Sequence, residues 1–191
     1  GSVGVDTNND GIDDTFTGIT SNAADADITG AEFEGVAYLT DGLSFNWSVG
    51  YIQAVFNEFI DAFGQDVASQ RVFQNTPDWT AQGRLNYSTE LSLFGNAGTL
   101  YLTGAVSHRS AASQFEAPNP FLDQGSFNIW DASITWSDDD GRWNFGLHGR
   151  NLADEEYKVA GYFFPTLGLE GNITAFYGNP RVVTATVDFN F

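Results

Sequence analysis

An acidic run near the N-terminus, residues 6–14 (DTNNDGIDD), has the residue types and spacing of a calcium-binding loop. Oxygen ligands would come from Asp6, Asn8, Asp10, the backbone carbonyl of Ile12, and Asp14. Gly11 would allow the sharp turn such loops need, but Thr17 stands where an EF-hand places its bidentate glutamate. We therefore predict Ca²⁺ as the one possible cofactor, bound weakly with Kd of about 10⁻⁴–10⁻³ M. The alternative is an acidic surface loop without bound metal.

A second possible chemistry is nucleophilic catalysis by Ser133, His148 and Asp131, which fall on the same face of neighbouring predicted strands. Polar strand faces carry such residues for structural reasons as well. The sequence contains no nucleophile-elbow motif, no phosphate-binding glycine loop and no His/Glu metal spacing. We predict no catalytic residues and no enzymatic activity.

Aromatic residues in two long segments are candidates for ligand contact. They lie in or beside APNPFLDQGSF and GYFFPTLGLEGNITAFYG, and comprise Phe115, Phe121, Tyr162, Phe163 and Phe164. Such rings could stack on a sugar or an aromatic chelator. Equally, they could pack the loops against one another.

The elements that must position these residues show a period of two, which is typical of β-strands. In the last segment, Val183, Ala185, Val187, Phe189 and Phe191 fall on one face and polar residues on the other. The same alternation recurs in a first strand at 28–39 and in segments 43–51, 79–88, 100–107, 130–136 and 143–150. About seven strands result, and the last of them, residues 181–191, matches the roughly 9–11 residues that a tilted strand needs to cross a bilayer.

The predicted connections alternate in length. Residues 40–42, 93–99 and 138–141 form tight turns, whereas 57–76, 110–126 and 158–179 form long links. Charged residues within strands, Arg84, Asp131 and Arg150, all fall on the polar face. We therefore predict an all-β fold, an antiparallel transmembrane β-barrel segment of about seven long strands with short periplasmic turns and long extracellular loops. A soluble β-sandwich is the competing architecture.

The amino-acid composition argues against several other classes of protein. The formal net charge of −18 disfavours nucleic acid as a partner, and the lack of cysteine excludes disulfides and thiolate metal sites. No segment approaches the roughly 18 apolar residues of a transmembrane helix.

Four segments together resemble the C-terminal end of the barrel of TonB-dependent receptors. They are the strand–turn–strand pattern of 28–59 with Gly30 and Glu32, the Asn75-Thr76-Pro77 strand entry, NLADEEY with Asn151, Leu152, Asp154 and Tyr157, and the terminal segment with Tyr177, Gly178, Pro180, Arg181 and Phe191. We divide the chain into an extracellular acidic loop, 1–27, and C-terminal barrel strands, 28–191.

The resemblance implies energy-coupled import across the bacterial outer membrane of a scarce nutrient such as a siderophore, cobalamin or oligosaccharide. It implies contact with outer-membrane lipid and lipopolysaccharide, and coupling to the TonB complex through a plug domain absent from this chain. It also implies that Phe189 and Phe191 belong to the signal read by the barrel-assembly machinery. We expect the chain to be part of a longer barrel. The alternatives are a self-contained small barrel acting as adhesin, anchor or lipid-modifying enzyme, and a soluble calcium-dependent binding module.

Overall fold

The computed structural model describes residues 2–5, 7, 11, 15–18, 24–61, 63–164 and 171–191. The five residues assigned above to a calcium site, at positions 6, 8, 10, 12 and 14, lie outside these ranges, so that site stays a prediction. Within the described ranges, no group of three or more His, Cys, Asp or Glu side chains is placed to hold a metal ion.

Strands dominate the described part of the chain, together with one short 3₁₀ turn, Ala68–Gln70. In chain order the strands are β1 (Ser2–Val5), β2 (Thr15–Gly18), β3 (Ala24–Thr40), β4 (Leu43–Phe59), β5 (Trp79–Glu90), β6 (Gly98–Arg109), β7 (Phe127–Asp138), β8 (Trp143–Arg150), β9 (Lys158–Phe164), β10 (Asn172–Tyr177) and β11 (Val182–Phe189).

Seven strands form one antiparallel sheet in the order β11-β8-β7-β6-β5-β4-β3. The pairs β1–β2 and β9–β10 form separate two-stranded hairpins. Within the described residues, β3 and β11 are the edges of an open sheet. This arrangement confirms the predicted all-β fold and its seven-strand count. Residues 15–18 form β2, which pairs with β1 outside the seven-stranded sheet.

Most strand ends differ from the predicted ones, and the largest difference is in β4, which ends at Phe59 rather than at residue 51. The first sheet strand begins at Ala24 rather than at residue 28, because its register continues alongside the outer part of β4. The last strand covers eight residues, Val182–Phe189, because its partner β8 begins at Trp143. Beyond that point the Asn190 backbone N–H donates instead to the Arg142 carbonyl at 2.9 Å.

The register places apolar and polar residues in separate rows across the sheet. One apolar row runs through Phe45, Leu85, Gly104, Ala132, Gly149 and Val183. The neighbouring polar row runs through Ser44, Asn86, Thr103, Ser133, His148 and Thr184. Arg84 and Asp131 lie in the next polar row, joined through Ala105. Each face therefore has a single character across six strands.

The apolar face is uncovered. Among the described residues only three large apolar side chains are buried, Val67, Leu122 and Trp136, and two of these belong to loops. A sandwich in water would bury this face against a second sheet. An apolar face of long strands with no covering layer instead suits the hydrocarbon of a bilayer. Among the helical residues described, none belongs to a helix long and apolar enough to span a membrane.

The two ends of the sheet differ in the way the prediction required. Residues 41–42, 91–97 and 139–142 make short connections at one end, and 60–78, 110–126 and 151–181 make long ones at the other. We call these the short-turn end and the long-loop end. One prediction was incomplete: the link 158–179 is not an irregular loop, because it contains the hairpin β9–β10.

Aromatic rings collect on the apolar face at the short-turn end. Trp143 is the centre of this group, with ring centroids 5.7 Å from Phe145 and 4.4 Å from Phe189. Phe191 continues the row 5.0 Å from Phe189. Trp136 lies 5.9 Å from Phe145 and donates its indole N–H to a turn carbonyl at 2.6 Å. Such amphipathic rings are typical of the interfacial girdle of a membrane barrel.

Candidate ligand-binding site at the long-loop end

A cleft of about 320 Å³ opens at the long-loop end, between the loops 60–78 and 110–126. It is lined by Ala54, Val72, Phe73, Thr76, Asp78, Ala111, Ala112, Ser113, Asp123 and Gln124. Ala54 comes from the polar face of β4, since it alternates with the row that holds Phe45. In a barrel the polar face lines the lumen. The cleft therefore lies at the outer mouth of the lumen.

Backbone hydrogen bonds join the first two long loops across the cleft. The Val72 N–H donates to the Glu116 carbonyl at 2.9 Å, and the Asn75 N–H donates to the Ser113 carbonyl at 2.8 Å. The Arg109 guanidinium donates to the Asn75 carbonyl at 3.0 Å. These bonds fix the spacing between the two walls.

The wall formed by the first loop is supported by aromatic stacking on β4. Phe73 stacks on Phe56 with centroids 4.2 Å apart and planes at 10°. Phe56 in turn contacts Phe59 edge to face at 5.1 Å, and the Arg71 guanidinium lies over the Phe59 ring at 5.6 Å. Stacked rings place Phe73 as a rigid surface of the cleft.

The base of the same loop is held by one carboxylate. Asp66 accepts the backbone N–H groups of Phe59 and Ala68, both at 3.0 Å. These two bonds, that from Phe59 first, lower the pKa of Asp66 below its ordinary value because they favour the charged form.

The third long loop supports the opposite wall. The Lys158 N–H donates to the Gln124 side-chain oxygen at 2.6 Å, and its ammonium group donates to the Asp123 carbonyl at 3.0 Å. Leu122 is fully buried beside Gly161, where an added Cβ would lie 2.5 Å from a Leu122 methyl. Glycine is thus required at 161 for the hairpin to approach this wall.

The ends of the third loop are fastened by the side chain of Asn151, which is almost completely buried. Its amide nitrogen donates to the carbonyls of Glu155 and Asn179 at 2.9 and 3.0 Å, and its oxygen accepts the Glu155 N–H at 2.8 Å. Its own N–H donates to the Asp131 carboxylate at 2.9 Å. Asn151 has φ of +48°, a conformation that asparagine tolerates well.

Two further contacts complete this fastening. The Asp154 carboxylate accepts the Arg181 backbone N–H at 2.8 Å and pairs with its guanidinium at 3.6 Å. Gly178 donates its N–H to the Tyr157 carbonyl, and the Tyr157 ring occupies the space a Cβ at 178 would need. We call these residues, 151, 154, 157, 178 and 181, the loop latch. Most of the residues that carried the NLADEEY and Tyr-Gly-x-Pro-Arg resemblances are thus in contact with each other.

The predicted ligand-contacting aromatics are not brought together at the cleft, whose lining includes none of them. Phe121 is strongly exposed in the second loop, and Phe115 is half-buried there. Tyr162 and Phe163 are exposed on β9, and Phe164 ends that strand. Tyr162 meets Phe176 edge to face at 5.7 Å. Their role in ligand contact stays a prediction.

The sequence reading missed the residues that line the cleft. Asp78, Phe73 and Asp123 come from separate loops, and no motif links them. The one available signal was the Asn-Thr-Pro entry at 75–77, which contributes Thr76 to the lining.

The three residues considered for catalysis each make other contacts and do not form a hydrogen-bonded set. Ser133 and His148 are cross-strand partners. The His148 ring lies over Gly146, and the Asp131 carboxylate is engaged by the Asn151 N–H. Within the described residues no hydrogen bond joins the three side chains, so this geometry gives Asp131 a structural role.

The antiparallel sheet is open, its residues alternate between an apolar and a polar face, its apolar face is uncovered, and its long loops lie at one end. These features define a segment of an outer-membrane β-barrel. The family comparison agrees: the model for TonB dependent receptor-like β-barrels matches residues 2–152. The chain therefore belongs to the TonB-dependent receptor β-barrel family, as the sequence motifs predicted. Barrels of this family lie in the outer membrane of Gram-negative bacteria, which confirms the predicted location.

Solved structures share the fold. The ferric yersiniabactin uptake receptor FyuA from Yersinia pestis matches with a TM-score of 0.71 at 23% identity, over 89% of this chain and 24% of that one. The siderophore receptor PiuA from Acinetobacter baumannii matches with a TM-score of 0.61 at 14% identity, over 87% of this chain and 22% of that one. A chain of the FpvAI–pyocin S2 complex matches with a TM-score of 0.58 at 16% identity, over 88% of this chain and 20% of that one. The chain thus spans a quarter or less of the length of these proteins.

Proposed function

We propose that the protein is a receptor that takes up a scarce nutrient across the outer membrane in a TonB-coupled manner, and that the nutrient is an iron chelate. The family is one of receptors and transporters. Two proteins of the same fold are described as a ferric-chelate uptake receptor and a siderophore receptor. These descriptions support iron chelates over cobalamin or an oligosaccharide.

The observation that carries the proposal is the position of the cleft. It opens on the lumen face at the long-loop end, where a ligand arriving from outside would enter the barrel. Its walls are held by backbone bonds between loops and by the third loop, so the surface is formed before a ligand arrives. A preformed site avoids the cost of ordering loops on binding. Coupling to TonB would run through a plug domain outside this chain.

The proposal is tested by radiolabelled iron uptake in iron-starved cells. We expect deletion of the gene to abolish accumulation of at least one ferric chelate, with recovery on complementation and no recovery in a strain that lacks TonB. Unchanged uptake of every ferric chelate that the parent strain accumulates would contradict the proposal.

The small self-contained barrel is separated by a different measurement. The intact mass of the native polypeptide, extracted from outer membranes in detergent, should be several times 20.8 kDa if the chain is part of a receptor. A mass near that value would favour the adhesin, anchor or lipid-modifying barrel.

A further inference from the structure

We propose that the cleft selects a positively charged chelate, one that carries a pendant ammonium group, and discriminates against anionic chelates. This inference rests on the proposed function, because it specifies the charge of the ligand at the same site.

The charged side chains that line the cleft are both acidic. Asp78 and Asp123 come from opposite walls, and no lysine or arginine is among the lining residues. One Asp123 carboxylate oxygen, Oδ1, is buried without a hydrogen-bond partner. Because this oxygen is closed to solvent, Asp123 acts on a ligand in the cleft through its negative charge rather than through a hydrogen bond at Oδ1.

Three bases belong to the loops and strands around the cleft, and none of them is among its lining residues. Arg109 donates to the Asn75 carbonyl, and Lys158 donates to the backbone carbonyl of Asp123 rather than to its carboxylate. The Arg71 guanidinium lies over the ring of Phe59, and its Nε is buried without a hydrogen-bond partner. An anionic ligand seated in the cleft would therefore have two carboxylates and no guanidinium or ammonium group in the lining around it.

The loops around the cleft also carry a net negative charge. The described parts of the three long loops carry eight acidic residues and three basic ones, namely Asp61, Asp66, Asp78, Glu116, Asp123, Asp154, Glu155 and Glu156 against Arg71, Lys158 and Arg181. A mouth with an excess of one charge raises the local concentration of ligands of the opposite charge and speeds their arrival. Because salt screens charges beyond about 8 Å at physiological ionic strength, Asp78 and Asp123 should dominate final affinity while the loops act on association.

The remaining lining fits an alkylammonium arm. An ammonium group has three donors, and the cleft offers oxygens of Thr76 and Ser113 besides the two carboxylates. Ala111 and Ala112 give an apolar wall for methylene groups, and the Phe73 ring attracts a cation placed over its face. A volume of about 320 Å³ suits this arm, while the metal-bearing part of the chelate would lie in the lumen.

The test uses one ferric trihydroxamate in three forms: with a free ammonium group, with that amine acetylated, and with it succinylated. These differ in charge by single steps around the same metal centre. Binding to the native receptor in outer-membrane vesicles should be strongest for the ammonium form and at least about tenfold weaker for the succinylated form. Raising the salt concentration should narrow the difference in affinity between the ammonium and the succinylated forms.

The variants are Asp78→Asn and Asp123→Asn, separately and together. Each should weaken binding of the ammonium form severalfold and leave the acetylated form nearly unchanged. Asp41→Asn with Asp139→Asn, which removes two carboxylates at the short-turn end, is the matched control. If Asp123→Asn fails to assemble, Asp78→Asn alone still tests the inference.

The outcomes separate the two proposals. Equal or tighter binding of the succinylated form would overturn the charge inference while leaving the receptor function intact. Binding of no form, together with unchanged cellular iron uptake in the deletion strain, would overturn both.

Discussion

Replacing Asn151 by aspartate should open the third long loop, because this substitution removes two donors and keeps almost everything else. Aspartate has the same shape, accepts the Glu155 N–H equally well and tolerates the φ of +48°. It has no N–H₂ group for the carbonyls of Glu155 and Asn179, and its charge would repel both oxygens. The substitution therefore acts locally at a buried position, where it removes two hydrogen bonds and adds a charge whose burial is itself unfavourable.

The magnitude follows from those two carbonyls. Leaving a buried acceptor without its donor costs about 1–3 kcal/mol, so the pair should weaken the closed loop by roughly 2–6 kcal/mol. Since about 1.4 kcal/mol is a tenfold change in an equilibrium constant, amide exchange through local opening should accelerate at least about 30-fold. The increase should be confined to residues 151–181 and spare the central strands.

Hydrogen–deuterium exchange of the native receptor in detergent micelles measures this directly. Asn128→Asp is the matched control, since it adds the same charge at an exposed position whose recorded contact is His108. Exchange of 151–181 within twofold of the parent protein would refute the reasoning, and would mean that the latch is held by contacts other than the Asn151 amide.

Three further outcomes are expected. Gly178→Ala should destabilise the latch by about 1–3 kcal/mol through overlap with the Tyr157 ring, whereas Gly104→Ala, with open space around it, should not; faster proteolysis of the third loop reports the difference. The stabilisation that the charged Asp66 carboxylate gives its loop should be complete above the ordinary aspartate pKa and should disappear as the pH falls through the lowered pKa of Asp66. Pepsin cleavage within residues 60–70 should therefore rise at low pH. The Asp66→Asn variant should lack this pH dependence. Trp136→Phe should lower the unfolding temperature of the extracted protein, since it removes the 2.6 Å indole hydrogen bond at a buried position, and an unchanged temperature would show that the bond contributes nothing.

The sheet could be predicted because strand alternation is a local property. A period of two assigns each residue to a face without knowledge of its neighbours, and the register confirms that assignment across the sheet. Turn lengths are equally local, so the two different ends followed from the sequence as well.

The site could not be predicted in the same way, because its contacts join distant residues. Asp78 and Asp123 line the same cleft only because two loops are bonded together. The hairpin β9–β10 depends on Gly161 fitting against Leu122, a contact that no periodicity reveals. Asn151 was recognised as part of a motif, but its function as the centre of the latch depends on carbonyls up to 28 residues away.

The loop latch has a consequence for the order in which the sheet assembles. From β3 to β8 every strand pairs with the next one along the chain, so each addition closes only one loop. The last strand must instead return to β8 across about 30 residues, and loop closure becomes less favourable by about 0.6 kcal/mol for each doubling of length. Forming β9–β10 and then the latch closes that distance in short steps, and brings Val182 beside Arg150 before any bond of the final ladder exists. We therefore expect the latch to form before β11 pairs, and Asn151→Asp to slow the last stage of assembly, which the appearance of the heat-resistant folded form on gels would record. In this view the NLADEEY segment is a folding guide for the final strand as well as a support for the binding cleft.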